Sequence, residues 1–541
     1  MSKPETTTVT LHSAISFPHP RTVLSAALVP LVVAAALAGC GGGGGSAGAS
    51  TGPAPAPPVD GPAWRGFASN AQHMALGAIA SQDLNRIAWS TPVDLVPPFG
   101  AGGGLAIHYG SPVVTSHNTV LVPVKTGRGG GFRVEARSGS NGGLIWSADT
   151  DYVLPAANWV PSYNVALTTG NRLFAPGSGG KLLVKDDADS ASGSLRSLVF
   201  YGANAYAASP AAFDATVFVN TPVTVDTQGN AFFGFVVSGA NPAGLASGIA
   251  RIAADGTGSW AVASTAAADP AIDKVAMNSA LALSPDEGTL YIAVNTKSSA
   301  APVQNGYLLA LDSRTLAFKA RARLFDPAFG TIARISDDST SSPTVGPDGD
   351  VYFGVLETTF GTHNARGWLL HFSATLAPNA VPGGFGWDDT ASIVPASMVP
   401  SYTGGSSYLL MTKYNNYAGI GSGDGANRVA IVDPHASQTD PISGLPIMKE
   451  VLTVLGPTFE SGTSGPVREW CINTAAVDPL TRSVLVNSED GVLYRWDLTT
   501  NRLTQKIRLT AGLGEAYTPT AIGADGAVYA VNDSVLFSVA K

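Results

Sequence analysis

Val467–Thr510, VREWCINTAAVDPLTRSVLVNSEDGVLYRWDLTTNRLTQKIRLT, reads as four short β-strands in succession. Thr474–Val477 is short and apolar, and DPLT turns the chain. Ser483–Asn487 alternates, and SEDG turns it again. Gly491–Asp497 and Leu503–Leu509 follow, divided by Thr499–Asn501. Strands joined by such turn chemistry make one antiparallel sheet. A sheet of this size exposes two apolar faces and two edges, so it requires neighbours of its own kind.

The remainder of the chain supplies them. Related copies open near Ser111-Pro112, Tyr163, Thr221-Pro222, Ser279-Ala280, Ser342-Pro343, Ser397-Met398, Thr474-Ala475 and Thr518-Pro519. In most of them a Ser/Thr-Pro or Ser/Thr-Ala pair opens a short apolar strand. A polar turn such as DTQGN or GPDGD follows, then an aromatic-rich strand such as AFFGFVV or VYFGVL. Repetition of this kind predicts an all-β fold, an eight-bladed β-propeller. The last copy is short, and Leu84–Val93 (LNRIAWSTPV) can serve as its missing strand, joining the two termini in one sheet. A seven-bladed ring is the alternative if the second copy, Tyr163–Gly202, is an insertion.

Charged residues make up 13% of the 541, against about 25% in an average soluble chain. The 62 Gly and 37 Pro suit many tight turns, and the net charge of −8 supplies no basic patch for nucleic acid. The apolar run TVLSAALVPLVVAAALAGC after Arg21 has the layout of an export signal. Its end, Leu37-Ala38-Gly39-Cys40, resembles a bacterial lipobox, which implies lipidation of Cys40. The expected division is a signal over 1–39, the lipidated Cys40 with a flexible tether over 40–60, and the propeller over 61–541. Gly41 rather than Asp after Cys40 points to an outer-membrane lipoprotein facing the periplasm, or to the cell surface. With Cys40 acylated, Cys471 is the remaining thiol, so no disulfide framework is expected.

Ala136–Trp146, ARSGSNGGLIW, resembles the A-x-D-x-x-T-G-x-x-x-W docking motif of quinoprotein (PQQ-type) propeller repeats, with Ala136, Gly142 and Trp146 in register. Ser138 and Asn141 replace its Asp and Thr. Ala310, Asp312 and Thr315 keep the pattern with Leu316 for the Gly, and Asp497 and Thr500 keep part of it. The stretch from Trp64 to Trp89 is similar to the opening of the same proteins. The resemblance implies the fold, with the motif Trp stacking between blades. Quinoprotein alcohol dehydrogenases also carry an adjacent Cys pair over the quinone and Glu, Asn and Asp ligands for calcium. This chain has no such Cys pair.

In four-stranded blades the first-to-second and third-to-fourth turns lie on one face, and the other connections lie on the opposite face. The latter are long here, so ligand binding is expected at the channel mouth on that side. The candidates are Lys413, Tyr414, Asn415, Asn416, Tyr417, Arg468, Glu469, Glu515 and Tyr517, with Asp424, Asn473, Glu489 and Asp490 nearby. Such a mixture of rings, amides and charges suits a glycan or protein ligand. None of His73, His108, His117, His363, His371 and His435 forms a close metal-ligand pair in sequence, and Asp348-Gly349-Asp350 lacks a full calcium loop, so no metal is expected. The expected role is a monomeric, membrane-anchored binding or scaffold protein without a cofactor. Two alternatives stand beside it. One is a PQQ- and Ca²⁺-dependent sugar or alcohol dehydrogenase. The other is a propeller lyase or hydrolase using Glu469 or Glu515 with Tyr517.

Overall fold

The computed structural model describes residues 59–100, 104–155, 160–296, 305–337, 341–356, 366–379, 381–419, 423–512 and 516–541. The signal, Cys40, most of the tether and Glu515 lie outside them. Pro58–Lys541 forms one compact unit. Among the described residues there are eight antiparallel sheets, the blades of an eight-bladed propeller. The second copy is a full blade, with strands Ala166–Leu167, Leu173–Pro176, Leu182–Lys185 and Arg196–Leu198. The seven-bladed alternative therefore falls.

Blade 7 is the stretch first read, with strands Ala476–Asp478, Ser483–Asn487, Val492–Asp497 and Arg502–Arg508. Its burial rises inward. The outermost strand, RLTQKIR, alternates, and the inner three are almost wholly buried. The inner strands are covered by neighbouring blades on both faces, and the outer strand only on one. Blade 8 closes the ring as expected. Arg86–Pro92 pairs antiparallel with Val535–Ala540, so the earliest strand of the propeller lies outermost in the last sheet.

The Ser/Thr signature has a structural meaning. Its hydroxyls and amides tie neighbouring inner strands together around the channel. The Ala280 amide donates to Ser342 Oγ (2.9 Å) and the Ser342 amide to Thr390 Oγ1 (3.0 Å). Thr474 Oγ1 donates back to the Thr390 carbonyl (3.2 Å), and Thr518 Oγ1 to Tyr109 of blade 1 (3.0 Å). The pattern corrects one boundary. Blade 6 opens at Thr390-Ala391 with strand Ser392–Pro395, whereas Ser397-Met398 falls in a 3₁₀ turn ending that strand.

The docking motif also acquires a geometry. Gly142, Leu316 and Asn501 occupy the same left-handed position in the turn before the outer strand, with φ of 71°, 59° and 52°. A bulge accompanies this turn in blades 1, 4 and 7. Trp146 then reaches across to donate from Nε1 to the Ala188 carbonyl of blade 2 (2.8 Å), and Trp89 does the same to Gly139 of blade 1 (2.8 Å).

The path of residues 61–84 was not legible in the sequence. This segment crosses the channel on the turn face and pairs with inner strands one after another. Trp64 exchanges backbone bonds with Val114, and the carbonyls of Arg65, Ala71, Gln72, Met74 and Ala75 accept from Leu167, Leu283, Val345, Ile393 and Val477. Gln82 then donates to Gly526. Blades 1, 2 and 4 to 8 are thereby laced by one strap. Its last residues are pinned by a buried network. Asp478 accepts from the Ser81 amide and hydroxyl (2.7 and 2.5 Å), and Arg495 reaches Ser81 Oγ and the Gln82 carbonyl (2.9 and 2.6 Å). Asp478 and Arg495 are themselves 3.9 Å apart. Replacing Asp478 by Ala leaves the Arg495 guanidinium buried without its counter-charge, so Asp478→Ala is expected to lose about 3–5 kcal/mol in urea unfolding. A loss under about 1 kcal/mol, the range of an exposed pair, would show that the network does not hold the strap.

Candidate functional site

The lead-ins to blades 6, 7, 8 and 1 converge around the channel axis on the long-loop face. The Tyr517 hydroxyl donates to the Asp388 carbonyl (2.6 Å), and the Asn473 amide lies 3.3 Å from that hydroxyl. Backbone bonds run on from Thr390 to Asn473 and from Asn473 to Tyr517. The His108 ring packs against the Tyr517 ring at 4.1 Å. Each group sits just before an inner strand, where the signature hydroxyls bind the strands in a fixed register.

Lys413 comes from strand Tyr408–Tyr414 of blade 6 and is buried, 3% exposed. Its ammonium lies over the rings of Tyr517 (5.1 Å) and Phe385 (5.7 Å). Ring faces carry negative charge density, which holds a cation without satisfying its three donors. No hydrogen bond or ion pair joins the ammonium to another described residue. Beside it, Asp389 accepts from Thr412 Oγ1 (2.5 Å) and, at 3.5 Å, from the Lys413 amide. Burial pushes the Asp389 carboxyl up to about 7, and the Lys413 charge and the Thr412 bond draw it part of the way back.

The expected residues divide into three groups. Lys413 and Tyr517 do meet. Tyr417 and Glu469 adjoin them: Tyr417 lies 6.4 Å from Phe385, and its hydroxyl acidity is suppressed by burial and by neighbouring Glu469. Asn415 and Asn416 brace the loops. Asn415 brackets Trp470, accepting from its amide (3.1 Å) and donating to its carbonyl (3.2 Å), and the Asn416 side chain donates to Asp424 (2.7 Å). Tyr414 and Arg468 turn elsewhere. Strand alternation puts the Tyr414 ring opposite Lys413, beneath the Arg366 guanidinium (5.0 Å) in the core between blades 5 and 6. Arg468 faces Glu489 at 3.8 Å.

Phe385, Asp388, Asp389 and His108 were missed. The signal for the acidic pair was available, since Asp388-Asp389 immediately precedes the Thr390-Ala391 signature. Placing blade 6 at Ser397 concealed it.

No family model matches the chain, and no curated protein does either. Solved structures do match. A quinohemoprotein alcohol dehydrogenase from Comamonas testosteroni aligns with a TM-score of 0.52 and 12% identity, over 88% of this chain and 80% of that one. A europium-containing methanol dehydrogenase aligns with a TM-score of 0.49 and 10% identity, over 86% and 89%. BamB from Moraxella catarrhalis aligns with a TM-score of 0.44 and 12% identity, over 84% and 99%. The chain is thus a β-propeller with the fold of the quinoprotein type. Identities this low speak to fold alone.

Asp389 makes stability depend on pH. Between about pH 4 and 7 the folded chain holds a proton on this carboxyl that the unfolded chain has released. Its stabilising effect is complete below the unfolded pKa and is lost as pH rises through the folded one. Urea midpoints of the parent should therefore fall relative to those of Asp389→Asn across that window and run parallel above it. His73, pushed down to about 4 by burial, tilts the same window the opposite way in both proteins and cancels in the difference. A difference that stays flat from pH 4 to 7 would place the Asp389 titration elsewhere.

Proposed function

We propose that the protein is an exported, lipid-anchored binding propeller. Its long-loop mouth receives an anionic group, such as a carboxylate, of a glycan or protein ligand. The observation carrying this reading is the Lys413 ammonium, held over two aromatic rings with no acceptor among the described residues. An incoming carboxylate would supply that acceptor in a site already largely removed from water, where charge-assisted bonds are strong. Asp389, held up to about 7 by burial, would repel such a group less than an ordinary carboxylate below that pH.

The quinone alternative finds less support. The cleft lined by His108, Asn278, Asn473, Tyr517 and Phe67 holds about 20 Å³, room for one water molecule. A rigid three-ring quinone requires a site of about 300 Å³ or more. The described residues around the axis therefore do not fit that group, and no chemistry is derived through it. Asp389, the carboxyl with the raised pKa, is buried beneath Thr412, which equally disfavours an acid–base role toward a ligand.

Calorimetry with uronic-acid-containing and neutral oligosaccharides, and with peptides bearing free or amidated carboxyl ends, tests the reading. Acidic probes should bind, and Lys413→Met should weaken them by roughly thirtyfold or more with the melting temperature unchanged or raised. Binding confined to neutral probes, or unaltered in the variant, would remove Lys413 from the site. Dye reduction with sugars or alcohols after addition of PQQ and Ca²⁺ would favour the dehydrogenase instead. Export and anchoring have their own check. Cys40→Ala should abolish acylation, read by mass spectrometry, and release the protein from membranes.

A further inference from the structure

On the turn face, away from the Lys413 site, the boundary between blades 5 and 6 gathers two imidazoles and two carboxylates. Asp348 and Asp350 belong to the turn after the first strand of blade 5, Thr344–Val345. His371 lies on that blade's strand Trp368–Phe372, and His435 on strand Arg428–Thr439 of blade 6. His371 Nε2 is 2.7 Å from Asp350 Oδ2, and His435 Nε2 is 3.4 Å from Asp348 Oδ2. One donor atom from each of Asp350, His371 and His435 falls within 4.8 Å of the others. We propose that Asp348, Asp350, His371 and His435 bind a divalent transition-metal ion of the zinc type, linking the two blades.

The local backbone delivers His435 to this place. Pairing of its strand with Pro446–Leu455 shifts between Asp433 and Ser437, so Pro434, His435 and Ala436 bulge out of the ladder. Bulges re-aim side chains in this way. Asp433 fixes the bulge by accepting from the His435 amide (3.0 Å), the Tyr402 hydroxyl (2.6 Å) and Ser406 (2.7 Å). Two tyrosines hold the ligands from behind. Tyr352 stacks on His371 at 4.5 Å, Tyr408 meets His435 edge-on at 5.5 Å, and the Tyr408 hydroxyl lies 2.9 and 3.0 Å from the two Asp348 oxygens.

The donor set selects the ion. Two imidazoles with two carboxylates suit Zn²⁺ and its neighbours, whereas Ca²⁺ and Mg²⁺ take oxygen alone. Ligands about 2.0–2.1 Å from a zinc ion lie within about 4 Å of one another, a spread that small side-chain rotations reach from 4.8 Å. Half of the site is sealed and half is open. The His371 side chain is fully buried, while those of His435 and Asp348 are 36% and 41% exposed and leave the ion a way in.

The test uses tag-free full chain, stripped with EDTA and titrated with Zn²⁺ by calorimetry. One ion should bind per chain and raise the melting temperature. His435→Ala and Asp348→Asn should each weaken binding by at least about tenfold and abolish the thermal shift, with circular dichroism unchanged. His435 is exposed enough for its removal to leave the fold intact. Absence of stoichiometric Zn²⁺ binding, equal affinity in His435→Ala, or preference for Ca²⁺ or Mg²⁺ over Zn²⁺ would each overturn the proposal.

Discussion

A propeller is governed by what happens to unpaired strand edges. Each inner strand presents a row of amides and carbonyls to the channel, and an open ring would expose the two flanks of its terminal sheets as well. A buried backbone group left unsatisfied costs about 1–3 kcal/mol, so a ring of eight such edges is intolerable without partners. This chain solves both problems with residues 61–92. Arg86–Pro92 completes blade 8, and the strap before it pairs with inner strands around the channel. The strap accepts strain to do so. Ala68, Ser69, His73 and Ala75 all have positive φ, at about 1–2 kcal/mol each, because the segment turns more tightly than extended backbone allows.

That solution divides the molecule functionally. The strap occupies the channel on the turn face, with Phe67 and His73 in edge-to-face contact at 5.1 Å inside it. The opposite mouth is ringed by the lead-ins to the inner strands, whose positions the signature hydroxyls set. Groups there are held rigidly because their neighbours are backbone bonds in four adjacent blades. Lys413 and Asp389 are retained in such a place without forming a close ion pair, an arrangement that stability alone does not call for.

Blades 5 and 6 share several buried polar groups. Lys413 and Asp389 sit at one end of their boundary and the His371–His435 cluster at the other. Between them Arg366 and Asp440 approach at 3.4 Å with both side chains fully buried. Blade 6 also has the longest strand pair, Arg428–Thr439 with Pro446–Leu455, and its bulge creates the His435 position. A strand longer than its partners' register allows must bulge or slip, and here the bulge aims an imidazole at the next blade.

Much of this architecture was legible in the sequence because it is local. Strand, turn, strand and turn within forty residues, a docking-motif Trp and a spare strand near the start are patterns read along short stretches of chain. Lys413 and Tyr517 could be placed on one face because connectivity in an up-and-down sheet determines which loops share a side. What remained hidden depends on contacts between blades. The strap has no periodicity, since its partners belong to seven different blades. Tyr414 and Arg468 lie close in sequence to Lys413 and Glu469, yet strand alternation turns one to the opposite face and Glu489 faces the other. His371 and His435 lie far apart along the chain. Only the stacking of one twisted sheet on the next, and the bulge that breaks a ladder, brings their nitrogens together.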